Sequence, residues 1–227
     1  MKKVFAINLF VLLVIASCKK DPSLTATTTN NKTTTTGTVI TNTVAVSYNI
    51  TYHLWYPYQT ISVPYNTVTR DSLLITLDSI NTHNIELYIN QYFAGVSGGG
   101  MPMQEYGSDA EVFRGAGNTT VFMASLNPTS SNYYTAIITN DWINDSLAWA
   151  TELDLKSIAY SGFGQSDLGD WDLSRVNSAY IGIKIVTSLG NKYGWIKINV
   201  PNSTTMTMEA QALNNNYGQY IQAGQTH

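Results

Sequence analysis

The chain has 227 residues, of which only 12% are charged, and its formal net charge at neutral pH is -3. A mildly acidic protein without a basic cluster is a poor candidate for binding nucleic acid. One cysteine is present, so an internal disulfide is excluded and the fold must be held together by its apolar core.

The N-terminus predicts export and lipid anchoring. Two lysines after Met1 precede an apolar stretch at 4–15, which is too short to span a bilayer of about 30 Å. Ala16 and Ser17 then lead to Cys18, a pattern typical of a cleaved secretory signal. The segment resembles the lipobox of Gram-negative lipoproteins. That resemblance implies cleavage before Cys18, its acylation (palmitate among the chains), and outer-membrane anchoring on the periplasmic or surface face.

The residues after the cysteine predict a disordered tether. Eleven of the 19 residues from Thr25 to Thr43 are threonine, and almost none before Val39 is apolar. Such a segment buries too little surface to offset the entropy lost on ordering. Its expected reach is about 25–30 Å. The predicted organisation is a signal peptide at 1–17, a lipidated cysteine and linker at 18–43, and one domain at 44–227.

The domain at 44–227 is predicted to be all-β, an antiparallel sandwich of about eight or more strands, jelly-roll or lectin-like in type. Apolar and polar residues alternate in short runs separated by Gly, Asn and Pro. Residues 142–149 are too short for a stable helix and are predicted to be a turn leading into a strand. The predicted strands are 44–52, 73–77, 85–89, 119–124, 133–139, 180–186, 193–200 and 205–213.

The clearest hairpin joins residues 179–185 to 193–200 around Leu189-Gly190-Asn191-Lys192. Tyr193, Trp195 or Ile196, and Ile198 are expected on one inner face or its edge. The chain ends soon after the segment Ile221-Gln222-Ala223-Gly224. Together with this segment, the hairpin resembles the C-terminal half of a family of secreted bacterial β-sandwich proteins that carry a Tyr-Gly-Trp-Val/Ile signature. The resemblance implies a fold and an exported location but no known activity.

Catalytic and metal-binding patterns are sparse. His53 and His83 lie outside recognisable hydrolase motifs and are predicted to be strand-surface residues. Asp167, Asp170 and Asp172 surround Gly169 and are the candidate Ca²⁺ ligands, because alternating carboxylates around a glycine turn suit that ion. A solvated acidic loop or a self-capped turn is the alternative. No other cofactor is predicted.

A group of aromatic residues suggests a ligand-binding surface. Trp55, Tyr56 and Tyr58 lie between predicted strands and could present flat rings to a sugar, although aromatics also fill sandwich cores. Trp142, Trp149 and the pair at 133–134 are alternatives. The favoured function is a lipid-anchored envelope module that binds a glycan or a protein. The alternatives are a structural envelope protein without a small ligand and, ranked last, a glycosidase that uses Asp170 or Glu152.

Overall fold

The structure, a computed structural model, describes residues 48–78, 83–97, 103–128, 134–161 and 164–227. The predicted signal, the tether with Cys18, and residues 44–47 and 133 lie outside these ranges. Residues 48–227 form one compact unit. In chain order its elements are β1 (Ile50–Ser62), β2 (Thr69–Thr76), β3 (Asn84–Ser97), β4 (Met103–Arg114), β5 (Val121–Ala124), β6 (Leu126–Pro128), β7 (Tyr134–Ala136), β8 (Trp142–Ile143), β9 (Glu152–Ser161), β10 (Gly164–Leu168), α1 (Asp170–Ser174), β11 (Ser178–Thr187), β12 (Gly190–Asn202), β13 (Thr205–Asn214) and β14 (Ile221–Gln222).

Two five-stranded antiparallel sheets form the sandwich, as predicted. Sheet I has the strand order β1, β13, β12, β11, β5, and sheet II has the order β10, β9, β4, β3, β2. Two short pairs, β6 with β7 and β8 with β14, lie outside these sheets. Each predicted strand overlaps an observed one, and the first observed strand begins at Ile50. The segment 142–149 is the two-residue strand β8 followed by a turn.

The main core lies between the sheets. Alternate residues of a strand point to the same face, so Ile85, Leu87 and Ile89 of β3 all point inward and are fully buried. Ile181 and Ile183 of β11 belong to the same buried cluster from the opposite sheet. Each such side chain contributes about 1.5–3 kcal/mol when it is removed from water. This layer therefore holds the two sheets together without a disulfide.

A second apolar cluster covers the outer face of sheet I. Tyr193 and Trp195 of β12 are buried there against Ile143 of β8 and Ile221 of β14. The Trp195 indole Nε1 donates a hydrogen bond to the carbonyl oxygen of Gln225 at 3.1 Å. The central strands β11 and β12 of sheet I are therefore largely buried on both faces, which explains their nearly continuous apolar sequences.

The hairpin prediction is confirmed, with Ile181 paired to Ile196 in the β11–β12 register. The expectation that its apolar residues share one inner face is wrong. Ile196 and Ile198 enter the core between the sheets, whereas Tyr193 and Trp195 point to the outer cluster. The two faces alternate because successive side chains of a strand point in opposite directions.

Strand β13 changes face part-way along its length. Met206 and Met208 point into the main core, but Ala210 and Ala212 belong to the outer cluster. The register with β12 shifts between Lys197, paired with Ala210, and Ile198, paired with Met208. Glu209 is therefore an extra residue, a β-bulge that reverses the inward and outward alternation. After it, odd-numbered residues of β13 face sheet II.

Candidate ligand-binding site

The candidate site begins at an irregularity in edge strand β1. Leu54 pairs with Ala210 and Gln59 pairs with Met208, so four residues of β1, 55–58, lie opposite the single residue Glu209. The Tyr56–Pro57 peptide bond in this segment is cis. Because β1 lies at the end of sheet I, it has a strand neighbour on one side only and can accommodate the extra residues. We call residues 55–58 the β1 bulge.

The β1 bulge places two of its predicted binding residues at the surface. The side chain of Tyr56 is 90% exposed and that of Tyr58 is 53% exposed. Tyr52 and Leu54, on the same edge strand, are also exposed apolar residues. Large exposed rings grouped on one edge are unusual for a sandwich that has enough core to bury them, so this surface is a candidate for binding.

Trp55, the third predicted binding residue, has a different environment. It is only partly exposed and packs against the core between the sheets. The His53 ring meets it edge-on, with 4.5 Å between the ring centroids. His53 is exposed on β1, as the sequence predicts. Trp55 therefore belongs to the inner side of the edge strand, and the expectation that all three aromatics form one exposed platform is corrected.

A charged pair lies beside Tyr58. Lys197 Nζ is 2.7 Å from Glu209 Oε2. The hydrogen bond to Glu209 is the main cause of a raised Lys197 pKa, to which Tyr180 and Tyr58 also contribute, so the lysine stays protonated. The residue that creates the β13 bulge thus also presents a carboxylate next to the exposed rings.

A cleft of about 460 Å³ lies on the inner side of the same strand. Thr51, His53 and Trp55 of β1 line one side of it, and the end of β2 at 76–78 lines another. Gln211, which the β13 bulge turns toward sheet II, also lines it. Small-molecule sites in proteins have volumes of about 300–1,000 Å³, so this cleft is large enough for a ligand.

Two polar atoms in the cleft residues are buried without a hydrogen-bond partner among the described residues. They are Trp55 Nε1, a donor, and Gln211 Oε1, an acceptor. The other end of the Gln211 amide is fixed, because its Nε2 donates to the carbonyl oxygen of Thr76 at 2.9 Å. Each unpaired buried group costs about 1–3 kcal/mol. A ligand that both accepts and donates hydrogen bonds can recover part of that free energy.

Asp78 and His83, which lie at the two described ends of the β2–β3 connection, are in contact. His83 Nδ1 lies 2.5 Å from Asp78 Oδ2, and both residues line a smaller pocket that shares Asp78 and Lys192 with the cleft. The prediction that His83 is a strand-surface residue is therefore wrong: it immediately precedes β3 and its side chain is mostly buried. Sequence spacing alone did not distinguish it from a surface histidine.

Two of the three aspartates proposed as Ca²⁺ ligands accept hydrogen bonds from different serine residues. Asp170 begins α1 and accepts a hydrogen bond from the Ser125 hydroxyl. Asp172 accepts the Ser157 backbone N–H at 3.2 Å, whereas Asp167 lies on β10. Among the described residues, no group of three or more His, Cys, Asp or Glu side chains could hold a metal ion. The geometry therefore gives the calcium prediction no support.

An acidic group on sheet II was missed by the sequence analysis. Glu111 of β4 lies directly opposite Asp154 of β9. Burial raises the pKa of Glu111 to about 7, and repulsion from Asp109, Asp154 and Glu152 adds to the shift. Burial likewise raises the pKa of Asp154 to about 6, with further repulsion from neighbouring carboxylates. The group includes Glu152, one of the two glycosidase candidates, but no cleft among those described opens on it.

Together, the two packed antiparallel sheets and the edge cleft define an all-β sandwich with a candidate ligand site on one edge. Comparisons with protein-family models, with curated proteins and with solved structures found no match. No helix in the described ranges is long and apolar enough to cross a membrane. The lipobox and the Tyr-Gly-Trp-Ile resemblance stay predictions, and function must be argued from the site.

Proposed function

We propose that this chain is a lipid-anchored binding module of the cell envelope that holds a glycan at the edge formed by β1. The observation that carries the proposal is the β1 bulge, which exposes Tyr56 and Tyr58 next to Trp55, a residue that lines the cleft. Exposed aromatic rings and a cleft with polar groups in its lining lie on the same short segment and give a chain-like ligand two places to bind.

The chemistry of this edge suits sugars. A sugar ring has apolar faces, which a flat aromatic ring can cover, and a rim of hydroxyls that both donate and accept hydrogen bonds. Tyr58 supplies such a ring beside the charged Lys197–Glu209 pair. Charged groups make the stronger hydrogen bonds, so they can fix the orientation of the hydroxyls.

Presentation at a membrane surface is the second part of the proposal. Acylation of Cys18, implied by the lipobox resemblance, would hold the chain to the membrane, because two or more acyl chains give stable anchoring. A threonine-rich tether of about 25–30 Å would then lift the sandwich clear of the lipid headgroups. Radiolabelled palmitate incorporation that is lost in Cys18→Ala tests this part.

Binding is tested on a glycan array with the full-length chain in detergent. We expect Tyr56→Ala and Tyr58→Ala each to weaken binding about tenfold or more, because exposed aromatic anchors carry much of the energy of such contacts. Tyr65→Ala is the matched control, since Tyr65 is an exposed tyrosine of the loop after β1. Equal losses in all three variants would contradict a role for the bulge.

The alternatives give different results in the same assay. A structural envelope protein without a small ligand should bind no glycan. A module that binds a protein should also leave the array unlabelled, but chemical crosslinking on intact cells should give an adduct that disappears in Tyr58→Ala. A glycosidase should release sugar from a bound glycan and lose that turnover in Asp170→Asn or Glu152→Gln.

A further inference from the structure

Lys192 differs from the other lysines of the described ranges. Lys156, Lys184 and Lys197 each lie within 4.0 Å of an Asp or Glu oxygen. The ammonium group of Lys192 has no such partner in the described part of the chain; it lies 5.1 Å from the centroid of the Tyr217 ring. Lys192 nevertheless lines the cleft beside the β1 bulge.

Among the described residues that line the cleft and the smaller pocket, Asp78 is the only acidic one, and it already contacts His83. Asp78 lies against the His83 ring, and its Oδ1 accepts the His83 backbone N–H at 3.4 Å. Asp78 is therefore held by His83 rather than by Lys192. The charge of Lys192 remains for a negative group that enters the cleft from outside.

We propose that Lys192 binds the carboxylate of an acidic saccharide, a uronate unit, whose ring lies in the cleft against Trp55. This inference rests on the proposed glycan-binding function and names the class of sugar. The buried donor Trp55 Nε1 and the buried acceptor Gln211 Oε1 belong to residues that line this cleft, and in this proposal the two side chains turn to pair with sugar hydroxyls. A simple carboxylate such as acetate lacks those hydroxyls and fills little of about 460 Å³.

The test compares oligogalacturonate, oligomannuronate and oligoglucuronate with their C6 methyl esters, which have the same sugar rings but replace the negative carboxylate with a neutral ester. Binding to the full-length chain in detergent is measured by titration calorimetry. We expect the acid of at least one pair to bind about tenfold more tightly than its ester, and Lys192→Gln to remove that difference, as loss of a charged hydrogen bond should. Lys192→Arg should retain most of it.

The control is Arg70→Gln, which removes one positive charge from β2, away from the cleft residues, and should leave the preference for the acid unchanged. Equal binding of acids and esters, or an acid preference that survives Lys192→Gln, would overturn the inference. So would tighter binding of a sulfated oligosaccharide of equal length, or of acetate at equal concentration. If esters and neutral glycans bind through Tyr58, only the inference fails. If no glycan binds, the proposed function fails with it.

Discussion

The outer faces of the two sheets follow the same alternating pattern but have opposite environments. Sheet I buries Tyr193 and Trp195 under the β8–β14 pair and the C-terminal segment. Sheet II instead presents carboxylates, with the partly buried Glu111 opposite the exposed Asp154. The sequence of a strand does not determine whether its outer face is buried, because burial depends on whether another part of the chain packs against that face. The edge that carries the candidate site lies on the sheet whose outer face is covered.

The largest expected effect on stability comes from removing a buried ring from the outer face of sheet I. Trp195→Ala removes a fully packed ring and its hydrogen bond to Gln225, so we expect a loss of about 3–5 kcal/mol in the free energy of unfolding. Tyr88→Ala, on the outer face of sheet II, should lose about 1 kcal/mol or less, because that ring is only partly buried. Urea denaturation measures both. Equal losses would mean that the two faces do not differ in stability.

A smaller effect on stability is expected from removing a carboxylate from the outer face of sheet II. The folded pKa of Glu111 lies near 7, above its usual 4.5, so between these values the folded state binds more protons than the unfolded state. Stability should therefore fall as the pH rises through this range. Glu111→Gln should stabilise the protein by about 1 kcal/mol at pH 8, a value reduced for partial exposure, and change little at pH 4.

Thermal melts of Glu111→Gln at both pH values measure this difference. Glu105→Gln is the matched control, because it removes the same charge from the other end of β4. A gain at pH 4 as large as the gain at pH 8 would show that the substitution acts through packing rather than through protonation.

The smallest expected effect lies at the candidate site, in the Lys197–Glu209 pair. A double-mutant cycle of Lys197→Met and Glu209→Gln should give a coupling energy of about 0.5–1 kcal/mol, since the pair is partly open to solvent. The coupling should shrink in 1 M salt, where charges are screened within about 3 Å. A salt-independent coupling would indicate that the pair is held mainly by packing.

Strand periodicity predicted most of sheet I but only part of sheet II. Residues 178–214 contain long apolar and alternating runs, and these gave three strands in nearly correct positions. Strands β4 and β9 were missed because their outward residues include Glu111 and Asp154, and acidic residues are depleted in strands generally. What makes these strands stable is burial of their inward residues, such as Val112 and Leu155, against the other sheet.

The candidate site was predictable only in part. Trp55, Tyr56 and Tyr58 were recognised as an aromatic cluster, but the partial burial of Trp55 and the exposure of the two tyrosines depend on the pairing of β1 with β13. The contributions of Gln211 and Lys192 depend on contacts distant in sequence. No local pattern around Asp78 and His83 indicated that their side chains meet. Long-range register, which one sequence does not reveal, determined these positions.

The extra residue Glu209 acts on β13 as a single-base insertion acts on a reading frame. Every residue after it is displayed on the opposite face from the one that unbroken alternation would give. Deleting it would turn Ala210 and Ala212 toward sheet II, turn Gln211 away from the cleft, and remove the one residue that faces the four of β1. Length changes at this position should therefore be tolerated far less than substitutions, and the cleft and the exposed rings should be gained or lost together.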